Sequence, residues 1–231
     1  DNLQASKQAS KQASKQARNR MLDIYKGLLI ILVVIRHVLQ YSVTDEGGIL
    51  TNIIWAIQMP GFMLVSGYFS ARNVENTHEL SKRIVGSMQH YALPFLSWWF
   101  LVSVLLLGGF DRNVLTAANH IAFHVDSGMW FLWVVFILSI IANICNYISS
   151  RNTAYYAVKT VVAALVMLGM LGILGILVGI RFIGIKFILY YSVFYGSGWL
   201  IRKTQDTWKR FIDKYSSLIA FVAIVCDCFQ L

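Results

Sequence analysis

Long apolar segments recur along this chain and limit what it can fold into. A run of about 18 or more apolar residues can cross a bilayer as a helix, which satisfies its own backbone polar groups. Charged residues make up only 13% of the chain, against about 25% in soluble domains. The sequence therefore predicts an all-α polytopic transmembrane bundle. Its seven predicted spans lie near residues 22–43, 49–71, 91–110, 128–149, 154–180, 182–201 and 212–231.

The first 20 residues differ in composition from the rest of the chain. The tetrapeptide ASKQ occurs three times in succession between Ala5 and Gln16, and no aromatic residue interrupts it. Such a basic, low-complexity segment cannot bury apolar surface and is predicted to be disordered. We expect 1–20 to be a solvated cytoplasmic tail next to anionic lipid, and 21–231 to form the transmembrane domain.

The charges of the loops predict the orientation. The tail is basic, whereas the loop after the first span carries Asp45 and Glu46. Arg72, Lys82 and Arg83 follow the second span. Because basic loops stay on the cytoplasmic side, we expect a cytoplasmic N-terminus, with the net charge of +9 indicating topology and not a nucleic-acid partner.

The first span carries ionisable residues, which are costly in a membrane helix and are functional candidates by default. Lys26 and His37 lie 11 residues apart, so at about 100° per residue they return to within ~20° of one face, with about 16 Å of rise between them. Asp23 lies within ~40° of that face. We expect one polar stripe that links the two sides of the membrane. From the residues alone, a lysine that snorkels at the membrane edge and a histidine satisfied by a neighbouring helix are equally open.

No metal site or bound cofactor is predicted. His120 and His124 are spaced as two ligands on one helical turn, but no third ligand accompanies them. Cys145, Cys226 and Cys228 form no CxxC pair.

Several motifs, taken in order over roughly residues 20–205, resemble the membrane acyltransferase-3 family. The closer resemblance is to its branch of fucose 4-O-acetylase-like sugar O-acetylases. The motifs are Leu22-Asp23 with the basic-residue-x10-His pattern Lys26–His37, the run Gln58–Phe69, the basic Ser81–Arg83, Tyr91–Phe95, Gly128–Trp133 and Phe194–Leu200. One departure is Gln58, which stands where the family has a histidine before Met-Pro.

The resemblance implies an O-acyltransferase of the bacterial plasma membrane. Such an enzyme moves an acyl group, most often acetyl, from cytoplasmic acyl-CoA to a hydroxyl of a cell-surface or lipid-linked sugar. His37 would be the general base, because an imidazole can take the proton of a poorly nucleophilic sugar hydroxyl. Asp126 is the favoured acid to orient that imidazole, with Asp111 as the alternative.

The remaining candidates form two groups, one for donor binding and one for structural or substrate-binding roles. Lys26, Arg72, Lys82 and Arg83 would hold the phosphates of coenzyme A, since cations bind phosphate through charge-assisted hydrogen bonds. For the three basic loop residues, a topological role alone is equally open. Asp23, Ser66, Gly67 and Trp130 are assigned structural or substrate-binding roles, and Ser66-Gly67 is also typical of a small-residue contact between helices.

Two other interpretations stay open. A transporter or flippase-like bundle could use Asp23, Lys26 and His37 as a proton or substrate path, although no inverted repeat is visible. The other alternative is an inactive remnant of such an enzyme. The resemblance implies a fold of about ten spans, each a helix because a helix satisfies its own backbone groups in lipid. The seven spans predicted here, with a start at Asp1 and an end at Leu231 inside an apolar segment, lead us to expect that C-terminal spans are missing.

Overall fold

A computed structural model describes residues 20, 22–39, 48–105, 129–150 and 155–205. Every regular element in these ranges is helical and none is a strand, so the predicted all-α class is confirmed. The predicted tail up to residue 19, the predicted span 212–231, Asp111, Asp126 and both His120 and His124 lie outside the described residues.

The chain forms its helices in simple succession. They are α1 (22–39), α2 (Ile49–Ser70), α3 (Thr77–Ser87), a π-helical turn (Met88–Ala92), α4 (Leu93–Leu105), α5 (Trp130–Ser150), α6 (Tyr156–Val178), a 3-10 turn (Phe182–Gly184) and α7 (185–205).

Three of these helices are long and apolar enough to cross a membrane. They are α2, α5 over Trp130–Ser149, and α6. In the described ranges, α1 carries more charges and α4 is shorter than such a span. The long apolar helices confirm the predicted membrane bundle.

Successive helices run in alternating directions, with α3, the π-helical turn and α4 forming one continuous helical segment. Lys26 of α1 lies over the ring of Phe69, while Arg36 lies over the ring of Trp55, so α1 and α2 are antiparallel. Near the C-terminal end of α5, the Asn146 side chain donates a hydrogen bond of 3.0 Å to the carbonyl of Ser70, the last residue of α2. The start of α1, the ends of α2, α5 and α7, and the starts of α3 and α6 therefore share one end of the bundle. We call it the basic end.

Glycines allow α2 and α7 to approach closely. A Cβ added to Gly67 would overlap the backbone of Tyr195, and one added to Gly198 would overlap the backbone of Leu64. Lipid supplies no hydrophobic driving force between helices, so such close backbone packing is a main source of association. Gly67 thus has the small-residue role that its sequence context allowed.

Apolar side chains from α2, α5 and α7 fill the centre of the bundle. Met63, Val134, Leu138 and Ile188 are each at most 3% exposed. Aromatic rings extend this core towards the end opposite the basic end, where the Trp133 indole donates to the carbonyl of Ile183 at 3.1 Å. Packing in this core fixes the positions of α2, α5 and α7 relative to one another, and so also fixes their ends at the basic end.

The basic loop expected after the second span is largely helical, which corrects its assignment as a loop. Asn76 caps α3 by accepting a hydrogen bond of 2.8 Å from the backbone N–H of Glu79, an N-terminal arrangement that stabilises a helix. Lys82 and Arg83 therefore lie on α3, which continues through the π-helical turn into α4. Only 71–76 connects α2 to it without regular structure.

Candidate functional site

A cavity of about 580 Å³ lies at the basic end, between α2, α3, α5 and α7. It is lined by Ser66, Phe69, Ser70, Arg72, Glu79, Lys82, Arg83, Gly86, Ser87, His90, Tyr91, Ser139, Asn143 and Tyr195. Most of these side chains are polar or charged. A polar cavity inside a membrane bundle is a default candidate for a binding site.

One face of α3 and the π-helical turn supplies half of the wall. The lining positions recur every three or four residues from Glu79 to Tyr91, which is the period of a single helical face. The π-helical turn at Met88–Ala92 lies where this face reaches His90 and Tyr91. Turns of this kind occur frequently at functional sites.

Arg72 and Lys82 are the cations that the cavity can offer to a ligand. Both side chains are exposed, and neither forms an ion pair or hydrogen bond with another residue in the described ranges. Two positive charges on the wall of one cavity attract anions, and phosphate oxygens can accept hydrogen bonds from both side chains.

The guanidinium of Arg83 is already bound to other groups of this chain. Its guanidinium donates to the carbonyls of Arg72, at 3.2 Å, and Asn73, at 2.8 Å. It also pairs with the Glu79 carboxylate one turn earlier. Arg83 thus fixes the 71–76 connection, and with it the position of Arg72.

The carboxylate of Glu79 is held in its charged form. The backbone N–H of Glu75 donates to it at 3.1 Å and Arg83 lies beside it. These contacts lower the pKa of Glu79 below its ordinary value of 4.5. At neutral pH the pair is ionised, so Glu79 balances Arg83 and leaves the charges of Arg72 and Lys82 available.

The floor of the cavity consists of hydroxyl and amide groups. Ser87 Oγ and Ser139 Oγ are 2.9 Å apart and buried. The Asn143 amide donates to the carbonyl of Ser139 at 2.9 Å. Such a floor can accept and donate hydrogen bonds to an amide-containing ligand that enters past the cations.

The polar stripe of α1 begins at the edge of this cavity. Lys26 Nζ lies 4.2 Å from the ring centre of Phe69, a lining residue, and 3.8 Å from Asp23 Oδ1. His37 follows three helical turns later with an exposed side chain and does not line the cavity. The rise of about 16 Å expected between Lys26 and His37 on one helix therefore leaves His37 away from this cavity.

The other predicted site residues have distinct positions. Ser66 lines the cavity, while Gly67, next to it, faces α7. Trp130 stacks on Phe187 with ring centres 4.8 Å apart and contacts Tyr191, so it belongs to the aromatic extension of the core. Gln58 is fully buried, and its amide has no hydrogen-bond partner among the described residues.

His90 also lines the cavity, and it is not among the site residues expected from the sequence. The available signal was periodicity: Glu79, Lys82, Gly86 and His90 repeat at helical spacing. That signal is visible only if 77–92 is treated as a helix and not as a loop.

Comparison with family models identifies one domain in this chain. The acyltransferase domain (Acyl_transf_3) matches residues 19–231, which include every helix described above. No curated protein and no solved structure gives a significant match.

Proposed function

Because the chain belongs to this acyltransferase family, we propose that it moves an acetyl group from acetyl-CoA to a hydroxyl of a cell-surface or lipid-linked sugar. The family establishes a membrane acyltransferase. The donor, the acceptor and the residues that act on them are proposed from the geometry of the basic end and of α1.

The observation that carries the proposal is a pair of cations that line the cavity and form no ion pair within the described residues. Arg72 and Lys82 would bind the phosphates of coenzyme A through charge-assisted hydrogen bonds. The hydroxyl and amide groups at Ser87, Ser139 and Asn143 would then receive the amide-containing arm of the donor. Lys26 would add a third cation at the edge, beside Phe69.

The orientation follows from where the cations lie. Arg72, Lys82 and Lys203 all belong to the basic end, which the positive-inside rule assigns to the cytoplasm. Acetyl-CoA would then enter from the cytoplasm of a bacterial cell. The N-terminus, at the start of α1, would lie on that side as well.

His37 would act in the outer half of the membrane as the general base. Its neutral imidazole would take the proton of the sugar hydroxyl while the hydroxyl oxygen attacks the thioester carbonyl. The new ester forms, the bond from carbonyl carbon to sulfur breaks, and coenzyme A leaves as its thiolate. Asp126, outside the described residues, would orient the imidazole. The donor arm must reach from the cavity along α1, where the rise from Lys26 to His37 is about 16 Å.

The test uses membranes that contain the full-length protein, labelled acetyl-CoA and an acceptor glycan. We expect labelled ester to form, and His37→Ala to reduce its rate by at least ~100-fold, the usual contribution of a general base, without loss of protein from the membrane. The matched control is His78→Ala, since His78 is an exposed histidine at the start of α3. Unchanged transfer in His37→Ala would remove His37 from the mechanism. Solute uptake without acyl donor would favour the transporter.

A further inference from the structure

A second group of cations lies at the basic end, where α7 ends beside the connection between α2 and α3. Ser66, Phe69 and Ser70 line the cavity, whereas Tyr68 points towards α7 and contacts Arg202. The ends of α2 and α7 meet the start of α6 at this point. Arg202 and Lys203, near the end of α7, supply the charge.

Lys203 is half-buried among polar and aromatic groups. Its Nζ donates to Asn73 Oδ1 at 2.6 Å. The same Nζ lies 4.3 Å from the ring centre of Tyr156 and 5.6 Å from that of Trp199. These rings stabilise the cation through their electron-rich faces without neutralising it.

Arg202 is held in a similar way. Its guanidinium donates to the Tyr68 hydroxyl at 2.8 Å and lies 4.9 Å from the ring centre of that residue. One hydrogen bond leaves further N–H donors of the guanidinium for another acceptor. Within the part of the chain that the structure describes, no carboxylate forms an ion pair with Arg202 or Lys203.

The electrostatics of the group agree with an excess of positive charge. Burial lowers the pKa of Lys203, and the positive charges of Arg202 and Arg83 lower it further. Two adjacent cations without a described counter-charge at the end of a membrane bundle favour an anion at headgroup level. Basic pockets between transmembrane helices bind anionic lipid headgroups in this way.

We propose that Arg202 and Lys203, framed by Tyr68, Asn73 and Tyr156, form a binding site for the phosphate of an anionic phospholipid in the leaflet at the basic end. The phosphate oxygens would accept hydrogen bonds from the guanidinium and the ammonium. The acyl chains would lie along α6, whose span is only 6% buried and presents apolar side chains to lipid. This site does not depend on the proposed acetyl transfer.

The test measures lipid retention by the purified full-length chain in mixed phosphatidylcholine and phosphatidylglycerol, using native mass spectrometry. We expect wild type to retain phosphatidylglycerol selectively, and Arg202→Gln/Lys203→Gln to retain it roughly 5- to 30-fold less, as for the loss of about 1–2 kcal/mol of phosphate contacts. The charge-conserving pair Arg202→Lys/Lys203→Arg should keep most of the retention. Lys159→Gln, at an exposed lysine in the first turn of α6, is the control and should change nothing.

A second measurement needs no variant, in case the double variant does not fold. Phosphatidylglycerol should raise the Tm of wild type more than phosphatidylcholine does, because a ligand that binds only the folded state stabilises it. Equal Tm values in the two lipids would overturn the proposal. A loss of retention in Lys159→Gln equal to that in the double variant would also overturn it. Displacement of the lipid by acetyl-CoA would overturn it as well, because these cations would then bind the acyl donor. Failure of acetyl transfer would leave the lipid result unaffected.

Discussion

The guanidinium of Arg83 donates a hydrogen bond of 2.8 Å to the backbone carbonyl of Asn73, whose side chain accepts another from Lys203. Asn73 therefore joins the two cationic groups of the basic end. Arg83 fixes the connection between α2 and α3 from the cavity side, and Lys203 fixes it from the α7 side. The connection carries Arg72, so its position decides where that cation can meet a ligand.

Replacing Arg83 should affect stability and donor binding together. Arg83→Gln removes two hydrogen bonds to carbonyls and the pair with Glu79, so we expect the free energy of unfolding to fall by about 1–3 kcal/mol. Arg83→Lys keeps the charge but not the planar fork, and should recover little of this. Unfolding in detergent measures the effect. Loss of donor affinity in Arg83→Gln at full stability would show that Arg83 binds phosphate directly.

The pair of Glu79 and Arg83 should make stability depend on acid pH. The folded state lowers the pKa of Glu79, so its stabilising contribution is complete above the ordinary value of 4.5 and is lost as the pH falls through the lower, folded value. We expect the Tm of wild type to fall more than that of Glu79→Gln between neutral pH and about pH 3.

The control for this pH dependence is Glu75→Gln, at the exposed carboxylate just before α3. It should keep the wild-type dependence, because the backbone N–H that contacts Glu79 is retained. If the Tm of wild type and that of Glu79→Gln fell equally over this pH range, the stabilising contribution of the Glu79 carboxylate would be contradicted.

The contact between α2 and α7 should not tolerate a side chain at Gly67. Gly67→Ala would drive its Cβ into the backbone of Tyr195, and overpacking of this kind costs about 1–3 kcal/mol or more. Gly196→Ala lies on the same α7 helix with no atom within 4 Å of its added Cβ, so it should be neutral or stabilising. Thermal unfolding of both variants in detergent compares them. Equal stability would contradict the close approach of the two helices.

Much of the fold follows from patterns that the bilayer makes simple. Apolar runs predict spanning helices because the backbone has no alternative in lipid, and the predicted bounds of α2, α5 and α6 are close to those observed. The helix α3 was missed because Lys82 and Arg83 were interpreted by charge alone. Its cap at Asn76 and its polar period from Glu79 to His90 were present in the sequence.

The site was harder to predict than the fold. Spacing along one helix predicts the rise between Lys26 and His37, because helix geometry is local, but it does not predict that His37 lies outside the cavity. The cavity depends on packing between helices that are distant in sequence, so the joint lining by Arg72, Ser139 and Asn143 has no local signature. For the same reason the sequence could not show that Arg83 donates hydrogen bonds to backbone carbonyls while Lys82 does not.

The central claim is that the donor binds at the cations of the cavity, and equilibrium binding of acetyl-CoA to the purified full-length chain tests it most directly. Arg72→Gln/Lys82→Gln removes two charges that form no ion pair or side-chain hydrogen bond among the described residues, so stability should be unchanged. Each cation should contribute about 1–2 kcal/mol of binding free energy, so the loss of each should lower the affinity for acetyl-CoA roughly 5- to 30-fold. The control Lys159→Gln should bind as wild type does. Wild-type affinity in the double variant, with its fold intact, would contradict a donor site in this cavity.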